Sequence, residues 1–287
     1  MLTNQTIDKL RSMRLTTFAD EYARQMEIPD TKSLDFDTRL GMLVEAEWFS
    51  RENNQVKRLI RESNLRLTTP CFADINYNSS RKLDRTYVLR LTNFAWVKEA
   101  HNIIITGCTG TGKTWLACAF GVEACRRGMH VKYYRTSRLI SELCVADGDG
   151  SISKLLAKLK KTDILILDDW GLSSIDPQEG RLLHEVIEDR NKEKSLILTA
   201  QLPVSMWHGV FEDSTIADAI MDRLVFNSYR FELQGQSLRR LSAIEEALIL
   251  NNEAAIPSFD DKEPDNGILT TAAIGNTVAG TNTSGKS

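Results

Sequence analysis

The sequence lacks a hydrophobic run long enough to cross a membrane. A spanning helix needs about 20 consecutive apolar residues, and no stretch approaches that length. Residues 1–20 mix charged residues with single apolar ones and lack the apolar core of a secretory signal. We therefore expect no membrane partner and a cytoplasmic location.

Cysteine and histidine are also sparse. The sequence has five cysteines and four histidines, and neither residue type shows the close paired spacing of a zinc site. An odd number of cysteines without a C-x-x-C pair does not suggest a disulfide framework. We expect a protein of a reducing compartment that holds no structural zinc.

The net charge of −3 does not by itself favour a nucleic-acid partner. The charge is unevenly distributed, however. Residues 51–98 contain ten basic and four acidic side chains, which gives this segment a net charge of +6. The acidic remainder of the chain conceals a basic block, so a nucleic-acid partner stays possible.

Four segments can be distinguished along the chain. Residues 1–65 have apolar residues at helical spacing and predict a small all-helical N-terminal domain. Residues 66–99 predict a connecting segment. Residues 100–249 predict an α/β domain, whereas residues 250–287 lose all periodicity and predict a disordered tail.

Residues 100–249 alternate short apolar runs with helical stretches. The runs are Ile103–Thr106, Val131–Tyr134, Ile164–Leu167 and Leu196–Thr199. Helices are predicted at 113–127 and 178–193, with a helix pair between the second and third runs. This alternation predicts an α/β fold, a parallel sheet with flanking crossover helices.

The strongest motif follows the first predicted strand. It consists of Gly107, Cys108, Thr109, Gly110, Thr111, Gly112, Lys113 and Thr114, followed by Trp115 at the start of a helix. This is the phosphate-binding pattern G-x-x-x-x-G-K-[ST]. Its glycines let consecutive amides face one anion, the lysine reaches the β- and γ-phosphates, and the threonine hydroxyl can bind Mg²⁺. We predict that residues 107–115 bind ATP or ADP.

An acidic pair ends the third predicted strand. Asp168 and Asp169 follow Ile164–Leu167 directly, at the sheet edge where ligands of parallel sheets bind. We predict that Asp168 holds Mg²⁺ and that Asp169 polarises the attacking water. An ordinary strand-to-turn junction before Gly171 is the alternative.

These motifs together resemble the AAA+ ATPases of the DnaC-like helicase-loader branch, and within it the IstB-type transposition helpers. The resemblance covers about residues 1–245. It implies that residues 1–65 form a domain that binds DNA or a partner and that residues 100–249 form an AAA+ ATPase domain. Besides the phosphate loop and the acidic pair, it rests on the segments Ile7–Leu15, Leu83–Arg85, Leu196–Thr199, Met221–Leu224 and Gly235–Arg239.

The resemblance implies roles for further residues. Asp169 stands where most AAA+ proteins have glutamate, and its shorter side chain implies slower water activation. Thr199 or Gln201 would be the sensor 1 residue. Arg223 would be an arginine finger that reaches a neighbouring subunit's nucleotide, although a surface arginine paired with Asp222 or Asp218 is the alternative.

Arg239 resembles the sensor 2 arginine of the same family, with an ordinary surface arginine as the alternative. The family also implies binding of double-stranded DNA. The predicted DNA-binding residues are Arg51, Lys57, Arg58 and Arg61 on the N-terminal helices and Arg138, Lys154 and Lys158 after the second strand. Neighbouring basic residues extend both surfaces: Arg66, Arg81, Lys82, Arg85, Lys160 and Lys161. Solvated helix faces are the alternative.

The function implied by the resemblance is that of an ATPase, stimulated by DNA, that assembles on target DNA as a ring or filament and recruits a transposase. Its cofactors would be ATP or ADP and Mg²⁺. Three alternatives remain open at this stage: a replicative helicase loader, a small-molecule kinase with a phosphate loop, and a DNA-binding scaffold that scarcely hydrolyses ATP.

Overall fold

Three helices form the N-terminal region of the computed structural model, which describes residues 2–77, 79–238 and 240. They are α1 (Leu2–Ser12), α2 (Thr16–Glu27) and α3 (Phe36–Ser63). The predicted helical character of this region is confirmed. Arg239 and the predicted disordered tail lie outside the described residues.

Helix α3 has 28 residues and is therefore about 42 Å long. It begins where the Asp35 side chain accepts a hydrogen bond from the backbone amide of Thr38, at 2.9 Å. It ends at Asn64, which adopts a left-handed conformation with φ of 53°. Among the described residues, no helix is both long and apolar enough to cross a membrane.

The apolar side chains of α3 are only partly buried. Leu59 is buried, but Trp48 and Phe49 are 68% and 58% exposed. Helix α2 covers a different face of α3, where Glu47 is buried and accepts hydrogen bonds from the Arg51 side chain and the Phe18 amide, and α1 packs against α2.

Residues 66–99 pack against the sheet domain rather than spanning a gap. The segment contains short 3₁₀ turns at Phe72–Asp74 and Ser79–Arg81, then α4 (Arg85–Leu91) and α5 (Ala95–Lys98). Its apolar side chains join one core cluster around Phe120: Ile75, Leu83, Val88, Leu91, Phe94 and Trp96.

The sheet has five strands, all parallel, in the order β2-β3-β4-β1-β5. Their bounds are β1 Asn102–Gly107, β2 Val131–Arg135, β3 Ile164–Trp170, β4 Ser195–Ala200 and β5 Ser228–Leu233. The four predicted strands are confirmed. The edge strand β5 was not predicted: its sequence alternates polar and apolar residues, as in a strand with one exposed face, and lacks the continuous apolar run of β1, β3 and β4.

Helices cover both faces of the sheet. They are α6 (Lys113–Arg126), α7 (Thr136–Gly148), α8 (Ile152–Lys160), α9 (Pro177–Arg190) and α10 (Ser214–Val225). Consecutive strand residues point to opposite faces. Ile103 and Ile105 therefore pack towards α6, whereas Ile104 belongs to the cluster formed with α7–α10. This arrangement confirms the predicted parallel sheet with flanking helices.

Candidate functional site

The phosphate loop connects β1 to α6 at the carboxyl edge of the sheet. Gly107 has a φ of 146°, and a Cβ there would lie 2.2 Å from the backbone oxygen of Leu233 in the neighbouring strand β5. Gly112 has a φ of 92° just before the first residue of α6. Only glycine fits these positions, so the loop closes tightly onto the amino end of α6.

Lys113 is held inside this loop. Its Nζ donates to the carbonyl oxygens of Gly107 and Cys108, at 2.8 and 2.9 Å. The Thr111 hydroxyl donates to the Cys108 carbonyl at 2.8 Å, while the Cys108 side chain is exposed. These contacts fix the ammonium group at the base of the loop, where it can meet a phosphate.

Asp168 is completely buried at the end of β3. Its carboxylate accepts hydrogen bonds from the Thr114 hydroxyl at 2.9 and 3.0 Å, from the Tyr133 hydroxyl at 2.6 Å and from the Thr199 hydroxyl. Burial, and then the hydrogen bond to Asp168, raises the pKa of Tyr133, so that the phenol remains protonated and donates. Three hydroxyl donors therefore orient one carboxylate beside the phosphate loop.

Asp169 points away from this network. It has a φ of 59°, a left-handed conformation that is uncommon outside glycine, and the β3–β4 register shifts between Leu167 and Trp170. Its amide donates to the Thr199 hydroxyl at 3.2 Å, and its side chain lines the cavity next to the loop. The Asp168 carboxylate is thus held among buried hydroxyl groups, whereas the Asp169 side chain faces the cavity.

Both candidates for sensor 1 lie near the loop. Thr199 is buried and contacts Asp168 through its hydroxyl, as well as accepting from the Asp169 amide. Gln201 is exposed, and its Oε1 accepts a hydrogen bond from the Thr109 hydroxyl at 3.0 Å. Thr199 positions the acidic pair, whereas Gln201 touches the phosphate loop itself.

A cavity of about 600 Å³ lies between these elements. Its walls include eight predicted site residues: Thr109, Gly110, Gly112, Lys113, Thr114, Trp115, Asp169 and Gln201. Five further residues line it: Arg66, Leu67, Arg135, Leu172 and Leu238. The sequence analysis placed Arg66 on a basic surface and did not single out the other four, since no short motif connects them to the loop.

The prediction that Arg81 belongs to an exposed basic surface is wrong. It is only 5% exposed, and its guanidinium donates to the carbonyl oxygens of Asn76 and Thr111, at 2.7 and 2.8 Å. The Arg81 side chain therefore stabilises the phosphate loop through its hydrogen bond to the Thr111 carbonyl. A buried arginine that bonds to backbone carbonyls cannot contribute to an exposed DNA surface.

Arg223 lies on the opposite side of the sheet from the phosphate loop, at the amino ends of the strands. The backbone oxygen of Arg223 accepts from the side chain of Asn102, the first residue of β1. Its guanidinium pairs with Glu188 and donates to the Ala219 carbonyl. Neither predicted alternative partner holds it, and Asp218 pairs with His208 instead. A six-residue strand, roughly 20 Å long, separates Arg223 from the phosphate loop of its own chain.

The predicted DNA-binding residues are exposed. On α3 these are Arg51, Lys57, Arg58 and Arg61, and on α7 and α8 they are Arg138, Lys154 and Lys158. Arg51 forms an ion pair with Glu47 at 2.7 Å. The two groups of basic residues approach each other at Lys132. Its Nζ donates to the carbonyl of Glu62, on α3, at 2.9 Å. The pKa of Lys132 is lowered, first by burial and then by the nearby charge of Lys158, on α8.

The fold and the site together define the class: the molecule is a P-loop nucleotide-binding protein of AAA+ architecture. Two solved structures share this fold. A DNA replication initiation factor aligns with a TM-score of 0.51 and 23% identity over 64% of this chain and 55% of the other. DnaI aligns with a TM-score of 0.51 and 20% identity, over 62% and 94% of the two chains.

The chain belongs to the IstB-like ATP-binding protein family, whose model matches residues 8–245. A relative from Sinorhizobium fredii, the insertion-sequence ATP-binding protein y4pL, is 41% identical over 84% of this chain and 98% of its own length. The ATP-binding protein of insertion sequence IS1162 from Pseudomonas fluorescens is 41% identical over 71% and 89% of the two chains. The predicted family is confirmed, and with it the prediction that the protein binds ATP.

Proposed function

We propose that this chain is an ATPase that assembles on double-stranded DNA and recruits the transposase of an insertion sequence. The observation that carries the proposal is the separation of two functional groups. The ATP cavity lies at the carboxyl edge of the sheet, whereas Arg223 lies at the amino edge of the same sheet.

Hydrolysis requires a metal ion and an activated water. Thr114 and Asp168 present oxygen ligands within hydrogen-bond distance of each other beside the loop, a donor set that suits Mg²⁺. Bound there, Mg²⁺ would neutralise charge on the β- and γ-phosphates. Lys113 binds the phosphates, and Asp169 polarises the attacking water from the cavity wall.

Arg223 completes the site of a neighbouring subunit. The roughly 20 Å strand length prevents it from reaching its own nucleotide. Both edges also carry exposed apolar side chains that suit burial in an interface: Leu172, 66% exposed, lines the ATP cavity, and Phe226, 84% exposed, follows Arg223 by three residues. Binding of ATP between two subunits stabilises their association by mass action.

The proposed DNA surface combines α3 and α8. Lys132 lies between them, because it donates a hydrogen bond to the Glu62 carbonyl and the charge of Lys158 lowers its pKa. Exposed lysines and arginines at loose spacing suit phosphate neutralisation, which gives sequence-tolerant and salt-dependent binding. The transposase partner is inferred from the relatives, which are ATP-binding proteins of insertion sequences.

A second candidate function is a DNA-binding scaffold with little ATP turnover. Asp169 favours it, because this carboxylate is one carbon shorter than the glutamate of most AAA+ proteins. The carboxylate therefore approaches the water less closely.

The deciding experiment measures phosphate release with and without duplex DNA. We expect DNA to stimulate turnover, and Asp169→Asn to abolish it while assembly on DNA with ATP persists. Asp149→Asn, in the loop after α7, is the matched control and retains turnover. Absence of turnover in the wild type under both conditions would establish the scaffold instead, and loss of assembly in Asp169→Asn would contradict the assigned role.

A further inference from the structure

The segment that follows α3 leads directly into the ATP cavity. After the left-handed Asn64, Leu65 is buried against α6, where a Cβ on Gly121 would lie 2.7 Å from its Cδ2. The backbone of Arg66 and Leu67 lies next to the sulfur of Cys118, also on α6. The position of Arg66 is therefore fixed by packing against the helix that begins at the phosphate loop.

The Arg66 side chain reaches the cavity from this anchored backbone. It lines the cavity together with Lys113 and Thr114, and its Nη1 lies 3.7 Å from Oδ2 of Asp168. This distance is too long for a hydrogen bond, so the contact is an ion pair across the mouth of the site. With 36% of the side chain exposed, the guanidinium lies between the buried carboxylate and open solvent.

A guanidinium in this place suits the terminal phosphate of ATP. Lys113 and Thr114 mark where the β- and γ-phosphates bind, and Asp168 stands beside them. Arginine donates two parallel hydrogen bonds to phosphate oxygens and stays charged at every working pH. ADP lacks the phosphate that would approach Arg66, so the residue would contribute to ATP affinity and hardly to ADP affinity.

We propose that Arg66 binds the γ-phosphate of ATP in its own chain and thereby distinguishes ATP from ADP. This inference rests on the ATP site and refines the proposed function. Because Arg66 follows α3 by three residues, it also connects the nucleotide state to the helix that carries Arg58 and Arg61.

The test is calorimetric titration of the full chain with a non-hydrolysable ATP analogue and, separately, with ADP, both with Mg²⁺. We expect Arg66→Ala to weaken the analogue about tenfold or more and ADP less than about twofold, as for loss of a charge-assisted hydrogen bond. Arg66→Lys should recover part of the analogue affinity, because it restores the charge without the planar geometry. Arg90→Ala, an exposed arginine on α4, is the control and changes neither affinity.

Equal weakening of both ligands by Arg66→Ala would overturn the proposal, since a structural defect acts on both. So would unchanged affinities, or a selective loss of the analogue in Arg135→Ala but not in Arg66→Ala. If Arg66→Ala fails to fold, Arg66→Gln and Arg66→Lys provide the same comparison. Failure of DNA to stimulate phosphate release would count against the proposed function. It would not change the ratio of the affinities for the ATP analogue and for ADP, so the two failures are distinguishable.

Discussion

Substitution of Arg223 by alanine tests whether ATP is hydrolysed between two subunits. An arginine that stabilises the transition state from a neighbour contributes about 10³-fold or more to turnover. We expect Arg223→Ala to lose turnover on this scale and to retain ATP binding, because the backbone of Arg223 contacts the first residue of β1, roughly 20 Å or one strand length from the phosphate loop of its own chain.

Mixing two inactive variants then provides a quantitative test. Arg223→Ala subunits keep Asp169, and Asp169→Asn subunits keep Arg223. A working site needs Asp169 from one subunit and Arg223 from the next. If subunits associate at random from an equal mixture, about one site in four is complete, so turnover should recover to about a quarter of the wild-type rate.

The assay is steady-state phosphate release at saturating ATP and duplex DNA, with the total subunit concentration held constant while the ratio varies. Turnover should be maximal near equal amounts and close to background at both ends. A chain with both substitutions, mixed with Arg223→Ala, is the control and should give no recovery because no subunit supplies the arginine. A flat profile in the first mixture, or near-normal turnover of Arg223→Ala alone, would refute the shared site.

Three further predictions concern other parts of the molecule. Gly107→Ala should abolish ATP binding in a titration, because its Cβ would lie 2.2 Å from a backbone oxygen of β5. The combined change Lys57→Ala, Arg58→Ala and Arg61→Ala should reduce the slope of log affinity against log salt for duplex DNA by up to about 2.7. Glu188→Gln should raise DNA-stimulated turnover by up to about fivefold, because it releases Arg223 from a partly exposed ion pair worth at most about 1 kcal/mol.

Each of these has a matched control. Gly148→Ala should leave ATP binding unchanged, since its Cβ would meet nothing within 4 Å. Arg24→Ala, on α2 and paired with Glu21, should leave the salt dependence unchanged. An unchanged salt slope in the triple variant would show that these residues of α3 do not bind DNA. Lower turnover in Glu188→Gln would show that the ion pair with Glu188 positions Arg223 for its role rather than restraining it.

The local parts of the site could be predicted from the sequence. The phosphate loop and the acidic pair follow uniform apolar strands, and their spacing specifies a strand, a turn and a helix. The strand β5 escaped prediction because only one of its faces is apolar: Phe231 and Leu233 are buried and their neighbours are not.

Residues that join the site through tertiary packing could not be assigned from sequence patterns. Arg66 and Arg81 belong by composition to the basic block of residues 51–98. The structure instead places one beside Asp168 and the other under the phosphate loop. Their roles depend on how the segment after α3 folds onto α6, which the spacing of charges does not reveal.

The cavity proposed for ATP lies where the strands of the sheet end, and Arg223 lies where they begin, which gives any assembly built through these two sites a direction. In an open row of subunits, one end displays a nucleotide without an arginine and the other an arginine without a nucleotide. Closing the row removes both ends, whereas an open row keeps one incomplete site at its tip.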